Sequence, residues 1–183
     1  DVFELDPDDP ASLPDPVVRA LLVARDGTQW VGMNSAGAAR FLPSTQQFER
    51  IPVGVPDAAH LPNGQVNALH QSADGALWIG TAAGLERRDP ATGALVHQRD
   101  GGRYSVTALA DAEGGGLWVG MQNGRRYHVA PGTRVLRRQD LAGVEASGVS
   151  VVSLHDREGR LWMGTSDGLR AYNPGTGTAQ AFD

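Results

Sequence analysis

Residues 66–81 read VNALHQSADGALWIGT, and the phrase returns as VRALLVARDGTQWVGM at 18–33, VTALADAEGGGLWVGM at 106–121 and VVSLHDREGRLWMGT at 151–165. Self-similarity at a near-fixed period sets the architecture, because every copy must adopt the same supersecondary unit. All four tryptophans of the chain, Trp30, Trp78, Trp118 and Trp162, take the same place in the unit, 48, 40 and 44 residues apart. Each is followed two positions later by Gly32, Gly80, Gly120 or Gly164, and by another glycine six or seven residues after the Trp. The fourth copy is one residue shorter before its turn at Glu158-Gly159.

The second copy shows how the unit folds. Alternating residues at 66–71 predict a strand, Asp74-Gly75 a hairpin whose two residues both tolerate positive φ, and 77–81 a second strand. Gly84 turns the chain into a third strand at 85–88. Asp89-Pro90-Ala91-Thr92-Gly93 makes the next turn, and 95–99 the fourth strand. One antiparallel meander of short strands cannot bury both faces alone. Copies packed face to face around an axis can, with a Trp ring filling the space between neighbouring sheets and a glycine wherever two backbones approach closely. The expected fold is an all-β propeller of four blades at 17–51, 66–100, 106–140 and 149–183. A helical reading of 17–25 fails because its three counterparts are polar and turn-bounded.

Residues 2–5 resemble the outer-strand positions around Phe48, Val96, Leu136 and Phe182 but precede the first inner strand. They are therefore expected, within 1–6, to be the outer strand of a preceding blade, which makes the chain an arc of a larger propeller. Two open sheet faces then invite missing blades or a second copy of the chain as partners.

Composition narrows the function classes. Among 183 residues there are 24 Gly and 11 Pro, while Leu, Ile, Val and Phe supply only 40, which speaks against a helical bundle. With no Cys, disulfides, thiolate metal sites and Cys nucleophiles are excluded. A net charge of −5 disfavours a nucleic-acid partner. No run of 18 apolar residues occurs, so a membrane is expected to be reached only through segments outside this stretch, as is any export signal.

The string DGALWIGTAAGLERRDPATG at 74–93, echoed from Glu158 to Gly177, resembles the two-component regulator propeller repeat, and all four copies take part. The link DPDDPASLPDPVV is similar to that family's connection between blades, whereas the signatures of WD-repeat, kelch and quinoprotein propellers are absent. Met33 and Met121 depart from the pattern in place of Thr, and Gln29 in place of Leu. The resemblance implies a non-enzymatic periplasmic sensor region of a bacterial receptor, with about seven blades per ring. It also implies a β-sandwich, a membrane helix and a histidine kinase or diguanylate cyclase output outside this chain. Ligands of some relatives are carbohydrate fragments. No binding residue belongs to the repeat motif.

The four Trp are expected in the core between blades. His70 and His155 take matching places after the inner-strand Leu, but Leu22 and Ala110 replace them in the other copies and no third ligand accompanies them, so no metal or cofactor is expected. Ser153, His155 and Asp156 cannot form a triad, because neighbours along a strand point to opposite faces, and no catalytic residues are expected. Pro174-Gly175-Thr176-Gly177 is a turn, lacking the Lys and helix of a phosphate loop, and Asp6, Asp8 and Asp9 are a solvated linker. Arg87-Arg88, Arg125-Arg126 and Arg137-Arg138 are expected on a solvated rim. A small ligand is expected on the face where the turns between second and third strands meet the inter-blade links, at Asn34, Asn63, Arg103, Tyr104, Gln122, Asn123 and Asp167. The competing readings are a propeller enzyme of the streptogramin lyase type, whose repeat carries Phe-Thr-Glu where this one has an apolar residue and Gly, and a dimerisation scaffold.

Overall fold

Among the described residues the chain forms sixteen strands and no helix. The computed structural model describes residues 2–55, 57–98, 104–133, 135–139 and 150–182. Four antiparallel sheets each follow chain order. Blade 1 holds β1 (Val18–Val23), β2 (Gln29–Met33), β3 (Ala38–Leu42) and β4 (Gln47–Ile51). Blade 2 holds β5 (Val66–Gln71), β6 (Leu77–Thr81), β7 (Gly84–Arg88) and β8 (Leu95–Gln98). Blade 3 holds β9 (Val106–Ala112), β10 (Gly116–Met121), β11 (Arg126–Val129) and β12 (Leu136–Arg138), and blade 4 holds β13 (Val151–Arg157), β14 (Arg160–Thr165), β15 (Gly168–Asn173) and β16 (Thr178–Phe182). Inner strands β1, β5, β9 and β13 lie side by side in that order, so the sheets form an arc of a β-propeller. The expected boundary positions 1, 99, 100, 140, 149 and 183 lie outside the described residues.

The first hairpin differs from its sequence reading in an instructive way. Ser72 N–H donates to Ala76 O (3.0 Å), so the loop is three residues long and only Gly75 is left-handed (φ +84°). In the shorter fourth copy Arg157 pairs directly with Arg160, leaving a two-residue loop in which Glu158 (φ +55°) and Gly159 (φ +70°) both turn left-handed. The missing residue thus converts a three-residue turn into the mirror-image two-residue turn that suits strand twist.

The core sits between blades. Trp30 packs with Val66, Leu77 and Ile79 of blade 2, Trp78 with Val106, Leu117 and Val119 of blade 3, and Trp118 with Leu161, Met163 and Tyr172 of blade 4. A Cβ on Gly32 would stand 2.6 Å from Val66 Cγ1, one on Gly80 2.6 Å from Val106 Cγ1, and one on Gly120 2.5 Å from Val151 Cγ1. The Gly after each Trp therefore forms a notch that the first Val of the next inner strand fills.

Both ends of the arc lack that partner. Val66, Val106 and Val151 are 0–1% exposed, but their equivalent Val18 is 41% exposed. Leu69, Leu109 and Leu154 pack between blades, while their equivalent Leu21 is 75% exposed. At the other end Gly164 faces only Ser153 of its own hairpin, and Leu169 and Phe182 are exposed. Residues 2–5, expected as an outer strand, form none: a segment becomes a strand only beside a ladder partner. Instead the Phe3 ring lies edge-on against Phe41 (4.8 Å) and Phe48 (5.7 Å), covering the outer strands of blade 1.

The arginine pairs also depart from expectation. Arg87 and Arg126 are buried, Arg88 lies 5.3 Å over Trp30 across the blade boundary, and Arg87 lies 5.9 Å from the Trp78 ring. A planar guanidinium stacks on an indole face with its edge on a carboxylate, so these side chains roof the tryptophans; Arg137 and Arg138 are exposed. Arg87 Nη2 donates to Asp74 Oδ2 (2.8 Å). Burial alone would raise the Asp74 carboxyl, but hydrogen bonds from Ser72 Oγ (2.6 Å), Arg87 and the Ala76 N–H (3.2 Å) overcome it and hold the group at about 2. A folded-state value below the ordinary 3.8 contributes stability that is complete above 3.8 and lost as pH falls toward 2. Urea unfolding across that window should show the loss, and Asp74→Asn should flatten it; an unchanged slope in the variant would assign the loss to other carboxylates.

Candidate ligand-binding face

A bulge interrupts every inner strand at the same place. The register skips Arg19 between Val18 and Ala20, Asn67 between Val66 and Ala68, Thr107 between Val106 and Ala108, and Val152 between Val151 and Ser153. An extra residue in one strand re-aims its side chain, and here all four line one cavity of about 560 Å³, the mouth of the arc at the starts of the inner strands. Gln65, Ser105 and Ser150 from the ends of the inter-blade links and Gln122 from the turn after β10 complete its polar wall.

These side chains form a network across the blade seams. Arg19 Nε donates to Asn67 Oδ1 (3.0 Å), which also accepts from Gln65 Nε2 (3.0 Å). Asn67 Nδ2 donates to Ser105 Oγ (3.1 Å) and Val106 O (3.0 Å). Thr107 Oγ1 donates to Val151 O, and Ser150 Oγ to Gln122 O (2.5 Å). Each bulge residue of blades 1 to 3 thereby reaches the following blade. Beside the mouth, Asp15 holds the turn after β2 by accepting from Ser35 N (2.7 Å), Ser35 Oγ (2.6 Å) and Val17 N (2.8 Å). Burial raises its carboxyl, but these bonds keep it below the ordinary carboxylate range.

The residues picked from sequence do not all meet here. Gln122 lines the cavity, and Asn34 Oδ1 accepts from Arg19 Nη1 (3.2 Å) at its rim. Asn63 and Asn123 instead cap their own turns, accepting from Gln65 N (2.8 Å) and Arg125 N (3.1 Å). Asp167 is paired with Arg170 (2.6 Å), and Tyr104 lies under the Arg125 guanidinium (4.7 Å). Arg103 lies outside the described residues. Sequence reasoning passed over Arg19, Asn67 and Thr107. Their signal is one variable position directly after the Val that opens each copy, where Arg, Asn, Thr and Val stand.

Other polar clusters serve structure. His70 Nε2 lies 2.9 Å from Asp111 Oδ1 across blades 2 and 3, while His155 is exposed. Asp156 Oδ2 accepts from Trp118 Nε1 (3.0 Å) and Glu113 N (2.9 Å), turned away from any role with Ser153. Among the described residues no three His, Asp or Glu side chains gather as a metal site. Glu86 meets His97 Nδ1, whose Nε2 donates to Asp57 O (2.9 Å), and so ties the link ahead of blade 2 to its outer strands. Burial, partly opposed by the imidazole, pushes Glu86 up to about 7.

Residues 60–83 match the family described as two component regulator propeller. That match falls on the first two strands of blade 2. Blades 1, 3 and 4 share the strand register of blade 2, with Trp30, Trp118 and Trp162 paired as Trp78 is. The extracellular domain of the putative hybrid two component system BT3049 from B. thetaiotaomicron is similar over 96% of this chain and 23% of its own length (20% identity, TM-score 0.77). The corresponding domain of BT4673 from the same organism is 26% identical over 88% of this chain and 22% of its own (TM-score 0.72). Streptogramin B lyase shares the fold over 98% of this chain and 57% of its own (17% identity, TM-score 0.71). The chain thus spans about a quarter of the two component system domains it matches. No match was found among curated proteins.

Proposed function

We propose that this chain is an arc of the extracytoplasmic, periplasmic sensory propeller of a bacterial signal-transduction receptor, which takes a small ligand at the channel mouth and passes the signal to an output module outside the chain. The observation that carries the reading is the mouth itself. The repeat is nearly invariant where it builds the core, yet the bulge that lines the cavity varies among Arg19, Asn67, Thr107 and Val152. Variable side chains on a rigid scaffold are what recognition requires. Similarity to extracellular domains of hybrid two component systems supports the same reading. A non-enzymatic role is favoured over a lyase because the described lining residues include no carboxylate and no imidazole for general acid or base work.

The ends of the arc support the larger ring. Val18 presents the knob, and Gly164 the notch, of the contact that closes each internal blade boundary. The same complementarity favours a second reading, an assembly scaffold that pairs through those faces. Thermal unfolding against a panel of oligosaccharides and small metabolites separates the two. A ligand of the folded state raises the midpoint, because it contributes about 2.7 kcal/mol of stabilisation at a hundredfold excess over Kd. A reproducible rise is expected, and a panel without effect would shift the assignment to the scaffold.

A further inference from the structure

Arg19 is the one ionisable side chain among the described residues lining the mouth. In a chain of net charge −5, Arg40, Arg87, Arg157 and Arg170 each pair with a carboxylate. Arg88 and Arg125 stack on rings. Arg19 does neither: its described partners are the neutral amide oxygens of Asn67 (3.0 Å, from Nε) and Asn34 (3.2 Å, from Nη1). Those two bonds fix the guanidinium plane across the seam of blades 1 and 2. Nη2 and the second hydrogen of Nη1 stay available in a group that carries five donors. Asn67 is itself locked, since its oxygen accepts from Gln65 and Arg19 while its nitrogen donates to Ser105 and Val106.

We infer that the mouth accepts a small polar molecule bearing one anionic group, a carboxylate or a sulfate, and that Arg19 reads its charge; this rests on the mouth being the ligand site proposed above. The unspent edge of a fixed guanidinium matches the two oxygens of such a group in a bidentate fork. Beside the apolar Val17, Val18, Val151 and Val152, the polar part of the wall is amide and hydroxyl, from Gln65, Ser105, Thr107, Gln122 and Ser150, which offers both donors and acceptors to ligand hydroxyls. The bulge equivalents of Arg19 are Asn67, Thr107 and Val152, so positive charge enters this wall once, off the axis. One charge placed to one side selects a molecule with a single anionic end rather than a polyanion.

The test titrates the whole chain with glucuronate, glucose and inorganic sulfate, following the Arg19 Nε–H and the Gln122 side-chain amide by nitrogen-edited NMR, beside Arg19→Gln and Gln122→Ala. Glucuronate is expected to move both resonances and saturate, with sulfate competing and added salt weakening it. Glucose should bind at least tenfold more weakly. Arg19→Gln should lower glucuronate affinity about ten- to a hundredfold, the value of a charge-assisted contact, and abolish the preference over glucose. A purely structural Arg19 would change both sugars alike. Glucose binding as tightly as glucuronate, or wild-type affinity in Arg19→Gln, overturns the inference; if Gln122 still responds and Gln122→Ala weakens binding, the mouth survives as a ligand site. Probes that move neither resonance overturn both readings.

Discussion

Trp78→Ala is expected to destabilise the chain by about 3–5 kcal/mol, the range for emptying a buried aromatic site, whereas Trp162→Ala should cost on the order of 1–2 kcal/mol. The two residues hold the same place in the repeat. Trp78 is 3% exposed, wedged against Val106, Leu117 and Val119 of the following blade, with its Nε1 donating to Ser72 Oγ (3.0 Å). Removing it leaves a void walled by strands of two sheets that cannot collapse without breaking their ladders. Trp162 is half-buried and its ring partner is Phe182 of its own blade, with centroids 5.6 Å apart. Chemical denaturation of both variants measures the contrast. Equal losses would mean that the Trp stabilises its own sheet and not the boundary.

The second large effect belongs to the glycine notch. Gly80→Ala should cost about 1–3 kcal/mol by overpacking, because the new Cβ would stand 2.6 Å from Val106 Cγ1 and 3.2 Å from its Cβ. Val106 is fully buried and belongs to the next inner strand, so it has little room to retreat. Val106→Ala alone should cost about 2 kcal/mol through lost burial. Combined, the two should cost less than their sum, with a coupling of about 0.5–3 kcal/mol as the small residue makes room for the added methyl. Gly164→Ala meets only the Ser153 hydroxyl, which can rotate away, and should stay within about 0.5 kcal/mol. Additivity in the Gly80 and Val106 cycle would remove the knob-and-notch account of the blade boundary.

The strand pattern of the second copy was legible because each device is local. Alternation sets the strands, Gly75, Gly84 and Gly93 supply left-handed turns (φ +84°, +139° and +73°), and the repeat multiplies the evidence fourfold. The shortened fourth hairpin could be counted in the sequence, but its conversion to a two-residue turn with Glu158 at φ +55° required coordinates. The mouth was half legible. Of the turn and link residues expected on that face, Gln122 lines the cavity and Asn34 meets Arg19 at its rim, whereas Asn63, Asn123 and Asp167 spend their oxygens on neighbouring N–H or guanidinium groups. A polar residue in a turn looks the same whether it faces a ligand or caps its own backbone.

Arg19, Asn67 and Thr107 escaped because strict alternation assigns each to a face, and the bulge overrides that assignment by one residue. The roofing of Trp30 by Arg88 was hidden for a related reason, since those residues lie far apart in sequence and meet only where blades 1 and 2 pack. The sequence by itself determined the unit: its period, its four strands, the Trp and the Gly that must lie between sheets. Tertiary structure alone decided which side chains converge on the axis, which arginines leave the surface, and that Val18 and Gly164 stand unpartnered at opposite ends. The physical reason is range. Hydrophobic periodicity and turn chemistry act within a few residues, whereas bulge register, guanidinium stacking and blade contacts arise only when segments some forty residues apart are brought together.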